Sequence, residues 1–277
     1  MNPYFIMTIV MGMAEIILNN IKNSITNFSS LAEDELYKYK LTKIRGNEFI
    51  LYQHLGLGDV IINNGLVHYL SENFEKIYLI VDKRFSQQID YLFSENKKIQ
   101  VTPVTLREVN NADKEVIQIS NEMNLEILKV GFSYIPGMRF YKSFYKQLHL
   151  PYKYSHTLFS QQRNHKKEAE LYDHLLNFYN IENENYNLVH SQASNMNFDL
   201  DIQNNFDVIY VEKESDIFGN IFLYNKVIEK ATEIHCINSS FCHFVDRTNR
   251  KNSLYYHDLR GSKLELAKDW KVIDYGN

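Results

Sequence analysis

From residue 49 the chain alternates two kinds of apolar pattern. "FILYQHL" (49–55) is a short apolar run closed by Gly56, and "DVIINNGLVHYLSENF" (59–74) repeats apolar residues at helical spacing. That order predicts a strand, a glycine loop and a helix. The next apolar run, "KIYLIVD" (76–82), leads into "RFSQQIDYLFSEN" (84–96) at helical spacing, and "KIQVTPV" (98–104) follows it. "EVIQIS" (115–120) and "LEILKVGF" (125–132) predict two further strands. Strands that alternate with helices pair in parallel through right-handed crossovers, so the first half predicts an open α/β sheet.

The regularity lapses between residues 134 and 163, where Pro136, Gly137 and Pro151 punctuate an aromatic, basic stretch. A lobe crossing is expected there. Beyond it "HKKEAELYDHLLNFYN" (165–180) predicts a helix with Leu171, Leu175 and Phe178 on one face. Alternation then resumes with strands at 186–190, 206–212 and 233–238, helices at 221–231 and 239–249, and a last strand at 253–258. The fold class expected is α/β, two Rossmann-like lobes with mostly parallel sheets and a cleft between them. The expected divisions are an N-terminal helical extension (1–45), a first lobe (46–150) and a second lobe (151–277).

The chain of 277 residues is 44% hydrophobic and 23% charged, the balance of an ordinary globular protein rather than a disordered one. A net charge of -4 argues against a nucleic-acid partner held by general electrostatics. The basic clusters "RNHKK" (163–167) and "RTNRK" (247–251) read as solvated surface. Cys236 and Cys242 form no disulfide or metal pattern, and the cytoplasm is the expected location. The uncharged run from Pro3 to Ala14 is shorter than the ~20 residues that span a bilayer, and no Lys or Arg precedes it as in a signal peptide. A helix packed on the fold, or a poorly ordered extension, is expected there. Ile9, Met13, Ile16 and Ile17 can share a helical face, which leaves a peripheral membrane contact open.

In α/β sheets ligands bind beyond the carboxyl ends of strands, where helix N-termini present free N–H groups. Two junctions fit. At the first, Gly56 and Gly58 permit a tight turn and close ligand approach, and Asp59 opens the helix either as an N-cap or as a reactive carboxylate. The loop is not a full dinucleotide fingerprint, because Ile61 stands where its third glycine would be. Gly65, inside the helix, costs roughly 1 kcal/mol relative to Ala, which points to close packing or close ligand approach. At the second junction, "EIHCINSSFCHFVDR" (233–247), Ser239 and Ser240 bring hydroxyls and amide hydrogens to the positive end of a helix, an arrangement that suits a phosphate. Ser239 can equally be an N-cap, and His243 a satisfied core histidine; His243 and Asp246 can share a face.

Together "HLGLGDVIINNGLV" and "EIHCINSSFCHFVDR" resemble the glycine loop and donor-binding segment of glycosyltransferases of GT-B architecture. They are similar in particular to the ADP-heptose:lipopolysaccharide heptosyltransferase superfamily and to bacterial and viral sugar transferases of like layout. The likeness covers the order of elements from about residue 49 to 258, with specific motifs of about 30 residues. It implies transfer of a sugar from a nucleoside-diphosphate sugar to a glycan or lipid-linked saccharide. The donor is then a co-substrate, with no resident cofactor and no metal. The resemblance casts Asp59 as the base, and Ser239 and Ser240 with His243 as holding the donor diphosphate and sugar; Gly56, Gly58, His190, Ser191 and Asn238 are further candidate donor-binding residues. Two departures stand out. Asn238 occupies a position where heptosyltransferases tend to have Asp, and "YNLVHSQAS" (186–194) offers no lysine for a phosphate.

The residue types suit the reaction. An inverting transfer needs a base for the acceptor hydroxyl proton and a positive environment for the departing diphosphate. Asp59 offers the first, with His54 an alternative base or a core residue. The helix start at Ser239, with His243 or Arg247, offers the second, and His190 lines the donor pocket or is structural. Acid pairs at Glu212/Glu214 and Asp199/Asp201 read as solvated loops. Tyr134, Phe140, Tyr141, Phe144 and Tyr145, among Arg139, Lys142 and Lys146, form an acceptor surface or pack on the core. A nucleotide-sugar epimerase or hydrolase, and a non-catalytic nucleotide- or glycan-binding module, are the competing readings.

Overall fold

The computed structural model describes residue 44 and residues 46–276, apart from 106–110, 133–134, 136, 184, 194–195, 204–205, 249–251, 260 and 262–263. The N-terminal extension with its apolar helical face therefore lies outside the described residues, as does Tyr134.

The first sheet is wholly parallel. β1 (Glu48–Tyr52) lies between β2 (Lys76–Asp82) and β4 (Ile127–Lys129), and β3 (Ile99–Val104) forms the edge beyond β2. Three helices connect these strands: α1 (Leu57–Asn73), α2 (Ser86–Phe93) and α3 (Asn111–Met123). The α3 segment corrects an expectation, since residues 115–120 are helix rather than strand. Ala112, Val116 and Ile119 recur at helical spacing and cover the outer face of the sheet with Ile50, Tyr52 and Ile80, while Ile117 is exposed.

Two short helices follow, α4 (Phe140–Lys146) and α5 (Tyr154–Thr157), and then α6 (His165–Phe178). On α6 Leu171 and Leu175 are buried as expected, but Phe178 lies 47% exposed at the helix end. In the second sheet, also parallel, the order is β11 (Trp270–Asp274), β10 (Ser253–Asp258), β9 (Glu233–Cys236), β5 (Tyr186–His190) and β8 (Asp207–Tyr210). β6 (Gln192–Ala193) and β7 (Met196–Asn197) make a small hairpin after β5. α7 (Asn225–Lys230) precedes β9, and α8 (Ser240–Arg247) follows it.

The lobes share one apolar core, and α1 runs through it. Eleven of its residues are buried, from Leu57 to Ser71. A helix buried on most sides needs close neighbours, and Gly65 supplies the closest. A Cβ there would collide with the Tyr154 backbone carbonyl of α5, so packing accounts for this glycine. Beside the crossing, the Ile62 carbonyl accepts hydrogen bonds from Tyr145 Oη and Ser155 Oγ, each at 2.7 Å.

A polar lock joins α5 to α8. Asp246 accepts from His156 Nε2 (2.9 Å), from Trp270 Nε1 (3.0 Å) and from the backbone N–H groups of Ala267 and Lys268 (3.1 Å each). Burial alone would raise its pKa; these donors override that and hold it well below the usual carboxylate range. Arg247 donates to the Ser155 carbonyl (3.1 Å) and to Ser155 Oγ (2.6 Å). It is only 7% exposed, which corrects its expected place in a solvated cluster. Arg163, from the other basic cluster, is only partly exposed and forms ion pairs with Glu168 and Glu229.

Gly65→Ala should destabilise the protein by roughly 1–3 kcal/mol through overpacking, despite a gain of about 1 kcal/mol in helix propensity. A lower urea midpoint checks this; a higher one would mean that α1 and α5 can separate at no cost.

Candidate active site

Each sheet has one point where its strand order reverses, and crevices for ligands open at such points. In the first sheet the point lies between β1 and β4. In the second, whose order in chain sequence is 5-4-3-1-2, it lies between β5 and β9. The loop after β1 carries His54, Gly56, Gly58 and Asp59. His190 and Ser191 end β5, and Asn238, Ser239 and Ser240 follow β9. The expected site residues therefore gather at two reversal points, and the structure brings the two together. A Cβ on Gly58 would lie 3.5 Å from His243 Cδ2 and 3.7 Å from Ser240 Cα. The first turns of α1 and α8 thus face each other across the lobes, at a spacing where a Cβ on Gly58 would make ordinary contact with α8.

Asp59 is the third residue of α1 and does not cap it. Gly56 occupies the cap position, and no side chain caps the helix there. No hydrogen bond or ion pair reaches the Asp59 carboxylate among the described residues, and burial pushes its pKa up to about 6. One turn on, Asn63 is fully buried with neither amide atom bonded among the described residues, and Gln53, just past β1, is in the same state. Uncompensated polar groups under a glycine loop lower stability, and such departures concentrate where function shapes the chain.

His54 is held in place. Its Nε2 donates to the Gly131 carbonyl at 2.8 Å, which leaves Nδ1 as the ring's free lone pair in the neutral form. The ring lies 4.8 Å from Phe132, 4.6 Å from Phe140 and 5.6 Å from Phe144, and burial lowers its pKa. Gly131 adopts φ +89°, and a Cβ there would collide with Phe144, so only glycine fits. Its N–H donates to Gln147 Oε1 at 2.7 Å. Gly131 and Gln147 were missed in the sequence, although a glycine just past an apolar strand was the available signal. Of the aromatic stretch, Tyr141, Phe144 and Tyr145 are core residues, while Phe140 is 50% exposed beside His54.

In the second lobe, Ser239 is the N-cap of α8, accepting from Cys242 N at 3.2 Å, while Ser240 and Asn238 are half-buried. His190 stacks on Phe241 with centroids 5.3 Å apart, and among the described residues its buried Nδ1 has no hydrogen-bond partner. Burial lowers the pKa of His190 to about 4, and burial followed by the Arg247 charge lowers that of His243 to about 3. Both rings are thus neutral at pH 7, which corrects His243 as a source of positive charge. Arg247 sits at the far end of α8 and is committed to Ser155, Tyr152 and the His243 carbonyl. Positive potential here comes from the α8 N-terminus. Among the described residues no three His, Cys, Asp or Glu side chains come together as a metal site, and no helix is long and apolar enough to cross a membrane.

No family model and no curated protein matches the sequence. Among solved structures the chain is similar to a glycosyl transferase family 9 protein from Veillonella parvula DSM 2008, with TM-score 0.51 and 9% identity over 83% of this chain and 87% of that one. It also aligns with E. coli heptosyltransferase WaaC, solved with ADP-2-deoxy-2-fluoro heptose, at TM-score 0.44 and 11% identity over 82% and 92% of the two chains. The fold is accordingly the two-lobed GT-B architecture.

The raised pKa makes Asp59 a liability to the fold. Between its ordinary pKa of 3.8 and the folded value of about 6 the folded state keeps a proton that the unfolded chain has released. Stability is therefore lost as pH rises through that window. Asp59→Asn should stabilise the protein by roughly 1–3 kcal/mol at pH 7.5, with the gain shrinking below pH 6 and gone near pH 4. Paired melting curves across that range check it, and an equal effect at every pH would refute it.

Proposed function

We propose that this protein is a glycosyltransferase that moves a sugar from a nucleoside-diphosphate sugar to a hydroxyl of a glycan or lipid-linked saccharide, with inversion. The observation that carries the reading is the meeting of two helix starts. The Asp59 turn, with an unpartnered and desolvated carboxylate, abuts the first turn of α8, whose N–H groups point out of the second sheet's reversal point. The GT-B fold supports the reading by analogy alone.

In the reaction, Asp59 accepts the acceptor hydroxyl proton as that oxygen bonds to the anomeric carbon. The bond from that carbon to the donor phosphate breaks, and its electron pair leaves with the nucleoside diphosphate. A pKa near 6 makes Asp59 a stronger base than an ordinary carboxylate while leaving it mostly ionised at pH 7. His54, with its Nδ1 lone pair, is the second group able to take that proton. The α8 N-terminus and the Ser240 hydroxyl stabilise the leaving diphosphate, with Ser239 reserved largely for capping. His190, Ser191, Asn238 and His243 line the donor side as neutral groups, and Gly56 and Gly58 keep the turn slim. With no cofactor assigned, the sugar nucleotide enters as co-substrate.

The test is nucleoside diphosphate release from ADP-, GDP- and UDP-sugars with oligosaccharide acceptors, alongside thermal shifts with the free diphosphates. One diphosphate should stabilise the protein, and Ser240→Trp should abolish that shift. Asp59→Asn should lower kcat by about 10²-fold or more, and the wild-type rate should rise with pH through about 6. A folded Asp59→Asn enzyme with full activity would remove the base. No shift with any diphosphate, or one indifferent to Ser240→Trp, would remove the donor site.

A further inference from the structure

Gly56 has ordinary backbone angles, φ -64° and ψ 140°, which any residue can adopt. Turn geometry therefore does not require glycine here. Space does: a Cβ at this position would lie 2.8 Å from Asp59 Oδ2 and 3.7 Å from Asp59 Cγ, its nearest neighbours among the described residues beyond the adjoining backbone. The carboxylate of Asp59 folds back over the start of its own helix into the volume that any side chain at position 56 would occupy. From this geometry we infer that Gly56 is a positioning residue, kept without a side chain so that the Asp59 carboxylate can occupy one particular place beside the α1 N-terminus.

The inference rests on the proposed role of Asp59 for its catalytic consequence but not for its structural one. It also differs from the donor-binding role expected for Gly56, because the space beside this glycine is filled by the protein's own carboxylate. Gly58 differs again. Its nearest atoms belong to His243 and Ser240 at ordinary contact distance, so the two glycines of one loop answer to different neighbours. A methyl group at position 56 cannot coexist with the observed Asp59 rotamer, and the carboxylate, as the mobile end of a short side chain, is the group that yields. Once rotated away it leaves its desolvated seat, and an error of about 1 Å in a reacting group costs on the order of 10²-fold in rate.

Gly56→Ala tests this. Asp59 is followed by the pH titration of its side-chain carbon in protein labelled with ¹³C aspartate, assigned by its absence in Asp59→Asn. The affinity for GDP, ADP and UDP is measured by calorimetry. The expected result is a fall of tenfold or more in the rate of diphosphate release, a titration midpoint moved down from about 6 toward the ordinary value of 3.8, and diphosphate affinity within twofold of wild type. In an Asp59→Ala background, where no carboxylate stands in the way, adding Gly56→Ala should leave the melting temperature unchanged or raise it, which separates local collision from failure to fold. An unmoved Asp59 titration overturns the inference, and more so if diphosphate affinity falls, for Gly56 would then face the ligand. If instead Gly56→Ala moves the titration while Asp59→Asn keeps full transfer activity, the positioning stands and the proposed role of Asp59 fails.

Discussion

One buried carboxylate ties α8 to α5, and α5 in turn packs on α1 of the first lobe. Asp246 collects donors from α5 and from the 267–270 segment, through two backbone N–H groups and the Trp270 indole, so two distant parts of the chain converge on a single negative charge. A buried charge is expensive unless its hydrogen bonds are complete, and here they are supplied by α5 and by the 267–270 segment. Asp246 lies in the last turn of α8. Fixing that end fixes the direction in which the first turn points, and hence where Ser240 and His243 meet Gly58. The geometry of the candidate site is set two turns away from it.

Burial governs the site's electrostatics. It raises Asp59 and lowers His54, His190 and His243, in each case as the largest cause. The single guanidinium on α8 is turned toward α5. Among the described residues of α8, the helix dipole with N–H and hydroxyl groups is left to meet an anion. Donors of that kind need little rearrangement as charge develops, which is the property electrostatic preorganisation requires. The same dryness makes the Asp59 carboxylate costly to the fold.

The strands and helices around both reversal points were legible because apolar runs there end at Gly or Ser, residues with a local physical meaning. Residues 115–120 were misread because "EVIQIS" alternates over a short window, while the helical period shows only when Ala112, Val116 and Ile119 are taken together. β11 went unseen because it is an edge strand with Lys271, Val272 and Asp274 exposed, leaving little apolar signal. Of the candidate site, the positions could be read but not their states. That Asp59 lacks a partner, that Gly131 holds His54, and that Arg247 is internal all depend on residues distant in sequence. Nothing local in "RTNRK" distinguishes a guanidinium that crosses to Ser155 from one in water.

The return of the chain at Ala267 to Trp270 has a consequence for how the molecule is made. During synthesis α8 leaves the ribosome about 20 residues before the groups that complete the shell of Asp246, at a pace of ~5–20 residues per second. Until then the carboxylate has His156 without the indole and the two amides. Each parallel sheet also needs its crossovers in place before its strands can pair, which slows formation of such topologies. The tether that orients the first turn of α8 beside Gly58 is therefore complete only once Trp270 has emerged.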